Sequence, residues 1–291
     1  MTFIQGLILG IVQGLTEFLP VSSSGHLVLL QWLFGVREGE LFVDVLVHGG
    51  TLVAVLAYFK ADLRDVISGF RGRRSSRRQE AHAHGASRTV RRPGVRAGRA
   101  RSVNRENSRM IVRLIVIATI PTVLMGFLFE DVFSGMFKSL GLTGAALLIT
   151  GIILFLTRTA KDHHLYLPHM TTLHALLIGL AQGFSIMPGI SRSGITISIA
   201  LLLGFQAGFA VKFSFLLSIP AVLGALALQL YRLQALPAGI FVPTIFAAFA
   251  AMFAGYIAIA MLVQLTHHNR LSYFAYYLWP LGLLLMYLGY R

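Results

Sequence analysis

The sequence predicts an all-α, polytopic membrane protein: six transmembrane helices plus two re-entrant helical hairpins, arranged as an inverted repeat. Three observations carry this reading. Of 291 residues, 56% are hydrophobic and only 12% charged, about half the charged share of an ordinary globular domain. Several stretches run 17 or more residues almost free of charge, enough to cross a ~30 Å hydrocarbon core at ~1.5 Å per residue. A shift of 169 residues also lays part of one half of the chain on the other without a gap.

The elements follow in order. Residues 3–34 are apolar but broken by Pro20 and a Ser-Ser-Ser-Gly run. Each piece is too short to cross, so the segment reads as two short helices around a polar turn. Such irregular backbone is tolerated at membrane depth only when buried in protein or lining a watery cavity. Full spans are expected at 41–59, 111–129 and 140–157. Residues 173–204 repeat the broken pattern around Pro188, Gly189 and Ser-Arg-Ser-Gly, and spans at 213–230, 241–263 and 273–290 complete the chain. The expected organisation is one integral membrane domain over 1–291, with repeat halves at about 1–157 and 173–291.

The net charge of +14 suggests a nucleic-acid binder until it is located. Residues 60–113 hold 16 Lys/Arg and 4 Asp/Glu, and the other 237 residues carry a net of only +2. The segment 71–109 is rich in Arg, Ser, Gly and His and has almost no large apolar side chains. It reads as a disordered cytoplasmic loop beside anionic lipid, not as a nucleic-acid arm. The positive-inside rule then sends span 41–59 from outside to inside. The first hairpin enters from outside, the second from inside, and both chain ends lie outside. Lys212 falls at the inner interface, where its stem can snorkel. The absence of cysteine excludes disulfides, thiolate zinc sites and a cysteine nucleophile. The N-terminus has no basic n-region and no small-residue cleavage site, so a removable signal peptide is not expected.

In the repeat, residues 10–35 align with 179–204, and Gly10, Gln13, Gly14, Ser22, Ser24, Gly25, Leu33 and Gly35 meet identical residues. Each half holds one hairpin and three spans. Three is odd, so the second copy inserts upside down, and the shared site of such a protein lies where the broken segments meet.

Few ionisable residues lie in apolar surroundings, and those that do are costly and point to function. Gln13 and Glu17 are four apart, on one helix face. A carboxylate there can coordinate a hard cation, orient water or cap the adjacent turn. Ser22, Ser23 and Ser24 bring hydroxyls and N–H groups to the start of the next short helix, a natural anion site. His26 reaches the same turn and suits proton transfer or attack on phosphorus, or else bonds a neighbouring carbonyl. In the second hairpin Ser191, Ser193 and Thr196 surround Arg192, whose planar fork matches phosphate oxygens. An Arg192–Glu17 pair is the structural alternative. Together these residues make an intramembrane anion site with acid/base capacity, and a lipid phosphate fits it best.

"GLTEFLPVSSSGHLVL" and "PGISRSGITIS" strongly resemble the undecaprenyl-diphosphate phosphatase, or bacitracin-resistance, family, and "FSFLLSIPAVLGA" at 213–225 agrees. The resemblance covers nearly the whole chain apart from the basic loop. It implies removal of one phosphate from undecaprenyl diphosphate at the outer side of the bacterial cytoplasmic membrane, recycling the carrier lipid for cell-wall synthesis and conferring bacitracin resistance. It also implies a divalent cation, Mg2+ or Ca2+, at Glu17 and Gln13, the latter a weaker ligand than the glutamate of other members. The implied catalytic residues are Glu17, Ser23 and His26. The implied phosphate-binding residues are Arg192, Ser191, Ser193, Thr196, Ser22 and Ser24. Three nucleophiles stay open: Ser23 with His26 as base, His26 itself, or a water held by Glu17. Homodimerisation is also left open; the expected partners are the polyprenyl diphosphate and membrane lipids, with no nucleic acid. The competing class is a polyprenyl-phosphate transporter or flippase, since inverted repeats with broken helices are a transporter plan. A phosphatidic-acid-type phosphatase would need a second catalytic His with a downstream Asp, and 193–210 contains neither.

Overall fold

A computed structural model of the chain describes residues 2–34, 41–71, 105–160, 164–232, 241–268 and 270–290. Twelve α-helices lie among them: α1 (Phe3–Phe18), α2 (Ser23–Phe34), α3 (Leu41–Tyr58), α4 (Lys60–Arg71), α5 (Arg105–Leu128), α6 (Glu130–Met136), α7 (Leu140–Leu156), α8 (Thr172–Phe184), α9 (Arg192–Leu202), α10 (Ala207–Arg232), α11 (Phe241–His267) and α12 (Ala275–Gly289). The described residues are helical apart from turns and one isolated bridge, Leu165 to Phe205. By packing, Met1–Tyr58 with Leu114–Arg291 form one compact unit and Phe59–Arg113 a second.

Among the described residues five helices are long and apolar enough to cross a membrane, six if Phe42–Tyr58 is counted with the helix after it. The broken segments behave as their composition requires: α1, α2, α8 and α9 have 16, 12, 13 and 11 residues, each short of a ~30 Å crossing. Large apolar side chains stand exposed along α1, α5 and α11, including Ile4, Phe127, Phe249 and Phe253, as a lipid-facing surface requires.

Some expected boundaries move. α5 begins at Arg105 and α10 at Ala207, earlier than 111 and 213: α5 takes in the polar run 105–109, and α10 the residues 207–212, apolar but for Lys212. Helix therefore covers both edges of the segment read as a disordered loop; its remainder, 72–104, lies outside the described residues. α4 and α6 were not expected. α4 carries Leu63, Val66 and Ile67 at helical spacing in a segment otherwise dominated by charge. In the smaller unit Ser108 Oγ donates to the Asp65 carbonyl at 3.5 Å.

In the larger unit α1 and α3 pack on α11, α7 packs on α12, and α9 packs on α7, α8 and α10. Val43 and Val47 bury against Ala247 and Ala251 of α11; Ala146, Ala181, Ile190 and Ile195 make a second cluster under the second hairpin. Two glycines that the sequence alignment pairs are packed alike. A Cβ on Gly10 would run into the Ala247 carbonyl and lie 2.8 Å from the Ala247 Cα; a Cβ on Gly179, its repeat partner, would meet the Ala118 carbonyl and lie 2.7 Å from the Ala118 Cα. The same alignment position thus lets a short helix touch a long one backbone to backbone in both halves, the use to which small residues are put in membranes.

Replacing Gly10 by Ala should lower stability by about 1–3 kcal/mol through overpacking. Gly224→Ala, where a Cβ meets nothing within 4 Å, should be neutral or stabilise by about 0.5–1 kcal/mol. Thermal unfolding of the two variants in detergent checks the contrast.

Candidate active site

Each hairpin turn is built to present the start of a helix. In the first, the chain leaves α1 at Leu19, and Ser22 takes a left-handed φ of 66°, rare for a non-glycine residue. Local bonds hold it there. Ser22 Oγ bonds Ser24 Oγ at 3.2 Å and accepts from Gly25 N at 3.3 Å. In the second, Gly189 takes φ 97°. Thr150 of α7 clamps this turn, donating to the Gly189 carbonyl at 2.9 Å and accepting from Ser191 N at 3.2 Å. Ser191 caps α9, accepting from Gly194 N at 3.1 Å.

The two turns touch. Gly189 N donates to Ser24 Oγ at 3.4 Å, and Ser193 Oγ to the Leu19 carbonyl at 3.5 Å. Across this contact Arg192 Nη2 meets Glu17 Oε1 at 2.5 Å, with side-chain exposures of 14% and 9%. Three other groups gather on the second carboxylate oxygen. Ser23 Oγ donates to Oε2 at 2.6 Å, Gln13 Nε2 at 3.1 Å, and His48 Nε2 of α3 lies 3.9 Å away. Two buried polar atoms here lack partners: Arg192 Nη1 and Gln13 Oε1. A buried unmet donor and acceptor are costly, and both border the same carboxylate.

The sequence candidates therefore separate. Glu17, Ser23, Arg192 and Gln13 come together. His26 does not join them. Its Nδ1 lies 2.7 Å from the Ser22 carbonyl, which can only accept, and its Nε2 lies 2.7 Å from the Tyr277 hydroxyl. The two rings also stack, with centroids 5.8 Å apart. Ser191 and Ser193 bond one another at 3.3 Å. Thr196 donates back to the Arg192 carbonyl at 2.7 Å, the back-bonding common for Thr in helices. Ser22, Ser191, Ser193 and Thr196 are all buried, and their bonds hold the hairpins in shape.

The profile of the family described as bacitracin resistance protein BacA matches residues 6–284. The chain belongs to the bacitracin resistance protein family. It is 41% identical over 290 residues to an undecaprenyl-diphosphatase of Carboxydothermus hydrogenoformans, covering 98% of this chain and 97% of the relative. It is 37% identical to one of Halothermothrix orenii, with 99% of each covered. A third, of Methanobrevibacter smithii, is 38% identical over 98% of this chain and 96% of its own length.

Two residues of this family member escaped the sequence reading. His48 was hidden inside a span treated as uniformly apolar, although Asp44 and His48, one turn apart in "LFVDVLVHGG", are the ionisable pair that should draw attention in a membrane helix. Tyr277 carries no local signal at all; only the fold brings it to His26. The expected divalent cation is compatible with the donors present. No group of three or more His, Cys, Asp and Glu forms a metal cluster among the described residues. The orphaned Gln13 Oε1 beside Glu17 nevertheless offers a carboxylate and an amide oxygen, the donor type that hard cations take.

Arg192→Met strips the guanidinium from a buried carboxylate and should cost about 3–5 kcal/mol. The double variant E17Q/R192M removes both charges and should recover most of that loss. Unfolding of the two single variants, the double variant and the parent as a double-mutant cycle gives the coupling.

Proposed function

We propose that this chain hydrolyses undecaprenyl diphosphate to undecaprenyl phosphate and inorganic phosphate. It does so in the bacterial cytoplasmic membrane, with its site open to the outer face and the two hairpins as re-entrant elements of an inverted repeat of six spans. The observation that carries the proposal is the half-buried Arg192, with Nη2 on Glu17 and its buried Nη1 unpaired. It is a bidentate anion fork already half committed, placed where two short helices begin. The relatives named for this reaction supply the substrate.

The pieces act as follows. The diphosphate head reaches the hairpin contact while the prenyl chain stays in lipid. Its terminal phosphate takes up Arg192 Nη1 and competes with Glu17 for Nη2. A carboxylate that loses its guanidinium becomes a better base. Ser23, whose hydroxyl already donates to Glu17 Oε2, is the nucleophile this geometry favours. Ser23 Oγ attacks the terminal phosphorus as its proton passes to Glu17. The bond from phosphorus to the bridging oxygen breaks. Undecaprenyl phosphate leaves with the electron pair and receives that proton. Water then attacks the phosphoserine. One of its hydrogens returns to Ser23 through Glu17, and its hydroxyl leaves on phosphate. Attack by His26 is disfavoured, because both ring nitrogens are engaged on Ser22 and Tyr277. His26 serves as a site residue whose position those two contacts set. Glu17 and Gln13 would hold a divalent cation, which would supply charge neutralisation for the phosphoryl group.

Purified protein in detergent should release phosphate from undecaprenyl diphosphate in the presence of Mg2+ or Ca2+. Arg192→Ala and Ser23→Ala should each lower kcat by about a hundredfold or more. Folded wild type that binds lipid phosphate but releases none would sink the reading.

A further inference from the structure

His48 of α3 has no part in that mechanism, yet it lies against the Glu17 carboxylate. Its Nδ1 lies 2.8 Å from the Asp44 carbonyl oxygen. A carbonyl only accepts, so Nδ1 carries its hydrogen, and Nε2 is the ring nitrogen left to offer a lone pair. That lone pair is 3.9 Å from Glu17 Oε2. A ring N–H held by a backbone carbonyl with the far nitrogen left open is the arrangement that orients metal-binding histidines.

The neighbouring amide points the same way. As placed, Gln13 turns Nε2 to Glu17 Oε2 at 3.1 Å, and its Oε1 is buried without a partner. Turning the amide over exchanges nitrogen and oxygen at no change of shape. The site then presents an amide oxygen and an imidazole lone pair, each set toward the same carboxylate oxygen with no hydrogen of its own between them. Such a set is repulsive unless a cation fills it. Neighbouring ligands of a six-coordinate ion with bonds of about 2.0–2.4 Å lie roughly 3 Å apart and opposite ones more than 4 Å. The 3.1 Å and 3.9 Å separations lie within that range. Arg192 does not intrude, because it holds the other oxygen, Oε1.

We infer that His48 Nε2 is a ligand of the divalent cation, joining Glu17 and Gln13 in a mixed nitrogen–oxygen set drawn from α1 and α3. The inference rests on the cation-dependent reading above, but concerns binding and is tested without substrate. An imidazole ligand moves preference away from Ca2+ and toward first-row transition ions such as Co2+. An amide in its place moves it back.

Mn2+ titrated into the purified, substrate-free protein and read by pulsed electron paramagnetic resonance decides the matter. The expected result is imidazole-nitrogen modulation of the bound Mn2+ in wild type, its loss in His48→Gln, and Mn2+ affinity about tenfold or more weaker in His48→Ala. Competition should also show Co2+ favoured over Ca2+ in wild type and less so in His48→Gln. Modulation that persists in His48→Gln, or bound Mn2+ without modulation in wild type, overturns the assignment. The second result beside cation-dependent phosphate release removes His48 from the site and leaves the hydrolase standing. Modulation lost in His48→Gln from a protein that releases no phosphate keeps the ligand and removes the hydrolase. Elution of each variant as the wild-type species in size-exclusion chromatography keeps misfolding from imitating either result.

Discussion

The ion pair between Arg192 and Glu17 is the contact on which the rest depends. Two charges in apolar surroundings are tolerable only together, and these two come from hairpins 175 residues apart in the chain. To bring them together, each hairpin must reverse and both turns must meet. Thr150, Ser24 and Ser193 are spent on making those turns meet, through bonds to Gly189, Ser191 and Leu19. The hydroxyls that look like substrate ligands in the sequence are for the most part the ties that hold the pair in place.

The two aligned hairpin segments share some packing but not a chemistry. Gly10 and Gly179 seat their helices against long neighbours in the same way, and Gln13 and Gln182 are both buried. One turn further on they part. Glu17 in the first half meets Ile186 in the second. Gln182 donates instead to Thr122 at 3.3 Å, a neutral contact that only packs the helix. A single carboxylate therefore gives the contact a direction, with Glu17 and Ser23 on one side and the Arg192 guanidinium on the other.

Much of this was legible in the sequence, for physical reasons. Interrupted hydrophobicity marks the hairpins because a proline and four small residues cannot continue an apolar helix. The ungapped repeat marked which residues would be equivalent. Intramembrane charge marked Glu17 and Arg192, since such residues are rarely retained without a task. What escaped was of two kinds. Helix ends moved outward because nothing in hydropathy says where a helix stops once it has left the hydrocarbon. Lateral contacts escaped as well. Spacing along the chain says that His26 lies near Ser22, but not that α12 offers it Tyr277, nor that α3 brings His48 to Glu17. Those neighbours are fixed by helix packing.

The starting points of α2 and α9 have a consequence of their own. Ser23 and Arg192 are the first residues of these helices, and both touch one carboxylate. The peptide dipoles of the two helices thus end, positive pole inward, at a common point. Each contributes roughly half a unit of positive charge there. That field is fixed in the backbone and needs no side chain to swing into place, so an anion arriving at the contact finds its counter-charge already oriented, and little of the barrier is spent on rearranging it.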